Sequence, residues 1–207
     1  MKTLFIFLIT FCSIASNRIH SQESQADKHS KIYFSLGGGA GIKSQLMGFG
    51  GTCILPKEWG FSLSYKGSNY QARNLPSDYY QGLDFQKPFD YLHVLSFNYL
   101  KEFSTSTKLI RYGIEGGPSL VTEGIAAFTY KPLNGLEDLF ESNYSYSYTK
   151  KSTVGLSVRA KIEFPLTRFA GLEIAGFANV NSFQSIIGGE IYLTLGKIRD
   201  RIKTKQK

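Results

Sequence analysis

Between Thr153 and Pro165 every second residue is apolar: Val154, Leu156, Val158, Ala160, Ile162 and Phe164 alternate with Gly155, Ser157, Arg159, Lys161 and Glu163. Only a β-strand places alternate side chains on opposite faces, so this stretch has one apolar face and one ionic face; a helix would scatter the charges all round. The ionic face cannot point at a dry core, and the apolar face is too long to leave in water. Two architectures satisfy both conditions: a sheet packed on a core, or a barrel wall standing in lipid.

The rest of the chain repeats the pattern. Its 207 residues suit one domain, rich in Gly, Tyr and Phe, which favours an all-β fold. Residues 1–21 read as a secretory signal peptide: Lys2, an apolar run from Leu4 to Ala15, then a polar stretch with cleavage after Ala15 or Ser21. That run falls short of the ~20 apolar residues a spanning helix needs. Cys12 follows Phe11, where a lipoprotein signal would have a small residue, so no lipid anchor is expected. Without this segment Cys53 is the one cysteine left, and no intramolecular disulfide can form.

After a polar leader over 22–30, strands are expected at 31–42, 47–55, 59–66, 89–103, 108–130, 144–164, 172–180 and 187–195. The third sets Trp59, Phe61, Leu63 and Tyr65 against Ser62, Ser64 and Lys66. The fourth is apolar on both parities, which leaves the direction of His93 open. The fifth opposes Ile110, Tyr112 and Ile114 to Arg111 and Glu115, runs along its even face through Leu120 and Ala126 to Phe128 and Tyr130, and carries Pro118, a sign of a bulge or bend. Residues 68–88 and 131–143 read as long loops. The GGGAGIKS stretch after Leu36 looks like a phosphate loop, but Ile42 stands where glycine should precede the lysine; glycines in a strand mark curvature or a close neighbouring backbone.

Eight strands, short connections after the second, fourth and sixth, and long ones after the third and fifth predict an eight-stranded antiparallel up-and-down transmembrane β-barrel over 31–197, in the cell outer membrane, with both termini in the periplasm. A basic tail follows over 198–207. The alternative is a soluble barrel, because turning the wall inside out leaves the alternation unchanged. Charge separates the two. Opposite the apolar rows lie four bases (Lys66, Arg111, Arg159, Lys161) and four acids (Glu115, Glu163, Glu173, Glu190); charges enclosed in a narrow lumen must pair or cost several kcal/mol per ion in desolvation. Trp59, Tyr65, Tyr91, Tyr99 and Phe164 lie near strand ends, as interfacial girdles require. The formal charge of +8 falls to +6 without Lys2 and Arg18, and +5 of that sits in 197–207. The basic pI is therefore a tail rather than a face, and no nucleic-acid partner is expected.

In Tyr91-Leu92-His93-Val94-Leu95 and in Gly189-Glu190-Ile191-Tyr192-Leu193-Thr194-Leu195-Gly196 the chain resembles the small outer-membrane β-barrel proteins of Bacteroidota, the porin-like and PorT-like group. It departs from them at Leu95, where that group often has proline, and in the basic tail. The resemblance implies fold and location and carries over no activity.

The functional expectation is a non-enzymatic barrel, monomeric, bathed in outer-membrane lipid, without cofactor or metal. Its lumen is plugged by the eight ionic residues, since eight strands enclose a space that side chains fill. Strands five and six are longer than the ~9–11 residues needed to cross and should project as a hairpin. Phe128, Tyr130, Leu136, Phe140, Tyr144 and Tyr146 would then offer a surface for adhesion or for docking a protein partner at the extracellular loops. The alternatives are an accessory role in secretion or envelope assembly, and a lipid-modifying enzyme. For the enzyme the candidates are His29, ahead of the first strand, and His93, whose neighbour Ser96 has the opposite parity and offers it no nucleophile.

Overall fold

The computed structural model describes residues 30–42, 44–80, 87–105, 109–132 and 141–198. The signal peptide, His29, the tip residues Leu136 and Phe140, and the tail from 199 lie outside the described residues. Eight strands follow in chain order: β1 Lys31–Gly41, β2 Ser44–Ile54, β3 Trp59–Gln71, β4 Phe89–Ser104, β5 Arg111–Tyr130, β6 Tyr144–Phe164, β7 Ala170–Asn181 and β8 Ile186–Lys197. Each pairs antiparallel with the next, and β8 closes on β1, where Ile32 pairs with Lys197 and Gly41 with Gly188. The sheet therefore has no free edge.

The rows fall as the alternation requires. Val154, Leu156, Val158 and Ile162 face outward, with Val154 78% exposed, while Arg159, Lys161 and Glu163 between them are buried inside. Met47, Ile32, Leu36, Leu63, Phe97, Leu120, Ile174, Ile191 and Leu195 extend the exposed apolar row round the wall. A wall clad this way has its low-energy surroundings in lipid, where the closed ladder also pairs the strands' backbone groups. Near the end that carries both termini, Trp59 stacks on Tyr99 at 5.0 Å; towards the other end Tyr65, Tyr91 and His93 form a second aromatic level.

Two features depart from strict alternation. On β4 the inward row includes Leu92, Val94 and Leu100, all buried, so both parities are apolar there; the outward row carries His93. Between β4 and β5 the pairs Ser96 with Ser119 and Tyr99 with Gly116 bracket a gap in the ladder. Pro118 sits in it, without an N–H to donate. Beside it Gly117 lies so close to β4 that a Cβ would come within 2.9 Å of Asn98 Cα, and only glycine fits.

Some boundaries are corrected. β3 continues through Ser68–Gln71, read from sequence as loop, because a strand that has left the bilayer need not be apolar; β2 starts at Ser44, and β5 at Arg111, after a turn closed by Thr105 N–H donating to the Ile110 carbonyl at 3.1 Å. Ile198, taken as the first residue of the tail, is fully buried in an apolar cluster with Tyr33, Ile54 and Leu100, and its N–H bonds the Arg168 carbonyl at 3.0 Å. Being apolar, it joins this cluster, whereas the next three residues, Arg199, Asp200 and Arg201, are all charged.

Candidate functional site

Buried side chains face the lumen in tiers. In the central one Arg159 stands opposite Glu115 in the β5–β6 ladder. Its Nη1 donates to Glu115 Oε1 at 3.2 Å, its Nη2 to Glu173 on β7 and its Nε to Glu190 on β8. Lys161 pairs with Glu115 at 2.8 Å and with Glu173 at 3.2 Å; Lys66 reaches Glu190 from β3 at 2.8 Å. Ser62 Oγ donates to the second oxygen of Glu115 at 2.7 Å. Three carboxylates thus meet three cations, all buried; Arg159, Lys161 and each carboxylate have at least two polar partners to offset desolvation, whereas Lys66 has Glu190 alone among the described residues.

Tyr33 links this tier to the one below. Its hydroxyl accepts from Lys161 Nζ at 3.0 Å and donates to Glu163 at 3.1 Å. Arg111, 1% exposed, lies 3.7 Å from Glu102 and 3.8 Å from Glu163, and Lys31 pairs with Glu102. Above the central tier Leu46, Tyr70, Leu92, Val94, Val121, Phe177 and Ile186 form an apolar layer, with the Lys66 ammonium 4.0 Å from the Phe177 ring centre. Over that layer, at the hairpin end, Asp90 accepts the Arg73 N–H at 3.1 Å and the Ala126 N–H at 2.9 Å, while the Arg73 guanidinium pairs with Glu123 and donates to Gln184 at 3.2 Å.

The structure brings together all eight ionic residues singled out from sequence. It also adds Lys31, Asp90, Glu102 and Glu123 to the buried set, so the count of four acids and four bases is corrected: acids exceed bases on the inner wall, and Arg73 at the mouth offsets part of the excess. Lys31, Asp90 and Glu102 lie close to strand ends, where few alternations define a row, and Glu123 shares its inward row with apolar Val121, which blurs the contrast. Among the described residues no group of three His, Cys, Asp or Glu side chains is placed to hold a metal ion.

At the opposite pole from the termini, β5 and β6 outrun their neighbours. β4 leaves β5 at the Tyr91–Gly124 pair and β7 leaves β6 at Gly155–Asn181, whereas β5 and β6 stay paired up to Tyr130 with Tyr144. The even-numbered face of this ribbon is a ladder of rings. Phe128 contacts Tyr146 and Tyr144 at 6.4 Å each, Tyr130 contacts Tyr144 at 5.5 Å, and Tyr146 continues to Tyr148 at 5.8 Å. Tyr148 meets Tyr91 at 5.1 Å, which joins the ladder to the aromatic level on the wall. Ala126, on the same row, is buried.

Residues 78–80 of the β3–β4 connection pack against this ribbon, a contact no local pattern announces. Tyr144 Oη donates to the Asp78 carboxylate at 2.9 Å, and Asn143 Nδ2 donates to the Asp78 carbonyl at 2.8 Å. Tyr80 N–H donates to Asn143 Oδ1 at 2.7 Å, and the Tyr79 ring lies 6.1 Å from Phe128 and 6.4 Å from Tyr144. Asp78 also raises the Tyr144 phenol's pKa, because the hydrogen bond holds its proton. Phe128, Tyr130, Tyr144 and Tyr146 therefore form one surface, with Tyr79 as an unanticipated fifth member.

His93 points outward, stacked on Tyr91 at 4.6 Å and tilted against Tyr65 at 5.5 Å, while Ser96 is buried on the inner face. The two lie on opposite sides of the wall and cannot share a proton.

No protein-family model and no curated protein matches the sequence. The fold, by contrast, is similar to a major outer membrane protein from Thermus thermophilus (10% identity, 81% of this chain and 99% of that one, TM-score 0.54). It is also similar to the N-terminal β-barrel domain of Pseudomonas aeruginosa OprF (12% identity, 83% and 98%, TM-score 0.50). Neisserial surface protein A gives 12% identity over 82% and 96%, with a TM-score of 0.49. The fold is that of the eight-stranded outer-membrane β-barrel, and with its apolar outer belt it belongs in the outer membrane.

Proposed function

We propose that this chain is a non-enzymatic outer-membrane barrel with a plugged lumen, which acts through the β5–β6 hairpin as an adhesive or docking surface outside the cell. Both termini and the short turns then lie in the periplasm. The observation that carries the reading is the continued pairing of β5 and β6 beyond both neighbouring strands, with rings along one face and the β3–β4 connection bracing it. A two-stranded ribbon alone is marginally stable; this one is held at its base by the barrel and along its length by Asp78, Tyr79 and Tyr80. Rigid aromatic side chains give contact area at little entropic cost. The plugged lumen is supported by the tiers of paired charge and apolar side chains. The separation of His93 from Ser96 speaks against a lipid-modifying activity.

A second reading, an accessory role in secretion or envelope assembly, is favoured by the resemblance of residues 91–95 and 189–196 to the PorT-like barrels of Bacteroidota. One experiment separates the two. Deleting residues 133–142 should leave heat-modifiable migration in SDS unchanged and abolish binding of the purified, reconstituted barrel to whole cells and to immobilised matrix proteins. Undiminished binding by the deletion variant overturns the hairpin reading; a secretion defect in cells with normal adhesion favours the accessory role.

A further inference from the structure

The outer wall is not smooth. A groove of about 390 Å³ opens on it across β4, β5 and β6, lined by Tyr99, Lys101, Phe103, Ile114, Gly116 and Val158 and by Glu115, whose carboxylate is held inside the lumen by Arg159 and Lys161. Its origin is one missing side chain. In the ladder Tyr99, Gly116 and Val158 stand side by side on three adjacent strands, and the next row towards the termini reads Lys101, Ile114, Ala160. Gly116 thus leaves a notch between a tyrosine and a valine, and Ala160 keeps the next row low. Sterics do not demand this glycine, since a Cβ at Gly116 would meet nothing closer than the Ser157 carbonyl oxygen at 3.7 Å.

At the terminal end of the notch stands an ammonium held among rings. Lys101 Nζ lies 4.4 Å from the Trp59 ring centre and 5.7 Å from that of Phe103; it donates to the Lys57 carbonyl at 3.2 Å and is 3.9 Å from Glu58. Lys57 and Lys101 outweigh Glu58 at this corner. Trp59 stacked on Tyr99 marks the depth where hydrocarbon gives way to headgroups, and a lysine at that depth keeps its stem in the apolar region and its charge at the boundary.

We infer that this groove is a phospholipid site: one acyl chain lies over Gly116, and the phosphate of an anionic headgroup sits against Lys101. The occupant follows from continuity and charge. The surrounding belt already faces lipid, the groove is apolar along its length, and the cation stands where a headgroup phosphate would be. In the orientation given above, the lipid comes from the periplasmic leaflet.

The test is native mass spectrometry of the full-length barrel, folded in detergent with phosphatidylglycerol, phosphatidylcholine or lipid A added singly. The parent is expected to retain one phosphatidylglycerol, preferred about fivefold over phosphatidylcholine. Gly116→Leu should lose retention of both phospholipids while staying heat-modifiable; Gly116→Val serves the same purpose if the leucine variant fails to fold. Lys101→Gln should keep the bound chain and lose the preference between headgroups. The inference is overturned if the parent retains no phospholipid, if the filled variants retain as much as the parent, if the preference survives Lys101→Gln, or if lipid A is retained in place of phosphatidylglycerol.

Discussion

Arg159 on β6 donates to Glu190 on β8, reaching across the full width of β7 to do so. The same guanidinium engages Glu115 and Glu173, so one side chain ties four consecutive strands together through the lumen. Arg159→Met leaves three buried carboxylates to share Lys161 and Lys66. Removing one partner of a buried pair costs about 3–5 kcal/mol, and the urea midpoint of the folded barrel should fall accordingly. An unchanged midpoint would mean that the central tier is hydrated rather than coupled.

Ile198 makes a second stability prediction, at the other kind of contact. It is fully buried against Tyr33, Ile54 and Leu100, and truncating a buried isoleucine to alanine costs about 2–5 kcal/mol. Ile198→Ala should lower the urea midpoint. Equal midpoints for Ile198→Ala and the parent would place the barrel's lower seal elsewhere.

Conductance tests the filling directly. With Arg159, Lys161, Glu115 and Glu173 paired across the lumen and Leu92, Val94 and Val121 clustered above them, the proposed plug predicts no large, steady current in planar-bilayer recordings. A stable open level of porin size would refute the plug.

The bracing of the hairpin can be read by proteolysis. Asp78→Ala removes the acceptor of Tyr144 Oη, so cleavage within residues 72–88 should accelerate several-fold while the heat-resistant barrel fragment persists. If the cleavage rate does not change, the Tyr144–Asp78 bond is dispensable and the connection is held by its rings and by the hydrogen bonds of Asn143.

The wall was legible in sequence because lipid enforces contrast: a row of Val154, Leu156 and Val158 against Ser157, Arg159 and Lys161 admits one register. Where the lumen itself is apolar, the contrast vanishes. Leu92, Val94 and Leu100 face inward on β4, which makes both parities alike and leaves the direction of His93 unreadable from its own strand. The central ionic tier was readable because its members stand in clear alternation with outward apolar residues; Lys31 opens its strand, Asp90 and Glu102 lie on the parity-blind β4, and Glu123 shares its row with apolar Val121, so these were missed. The contact of Asp78 with Tyr144 joins residues far apart in the chain through a polar loop, and nothing periodic records it.

The apolar layer of Leu46, Tyr70, Leu92, Val94, Val121, Phe177 and Ile186 has an electrical consequence. It acts as a spacer of low dielectric between the ion pairs at the mouth and those in the centre. Salt added outside screens exposed charges within about 10 Å at 0.1 M and buried ones far less. The half-exposed Arg73 at the mouth should therefore loosen its hold on Asp90 and Glu123 as ionic strength rises, while the clasp around Arg159 keeps its strength. The barrel carries an outer set of charges that senses the medium and an inner set insulated from it.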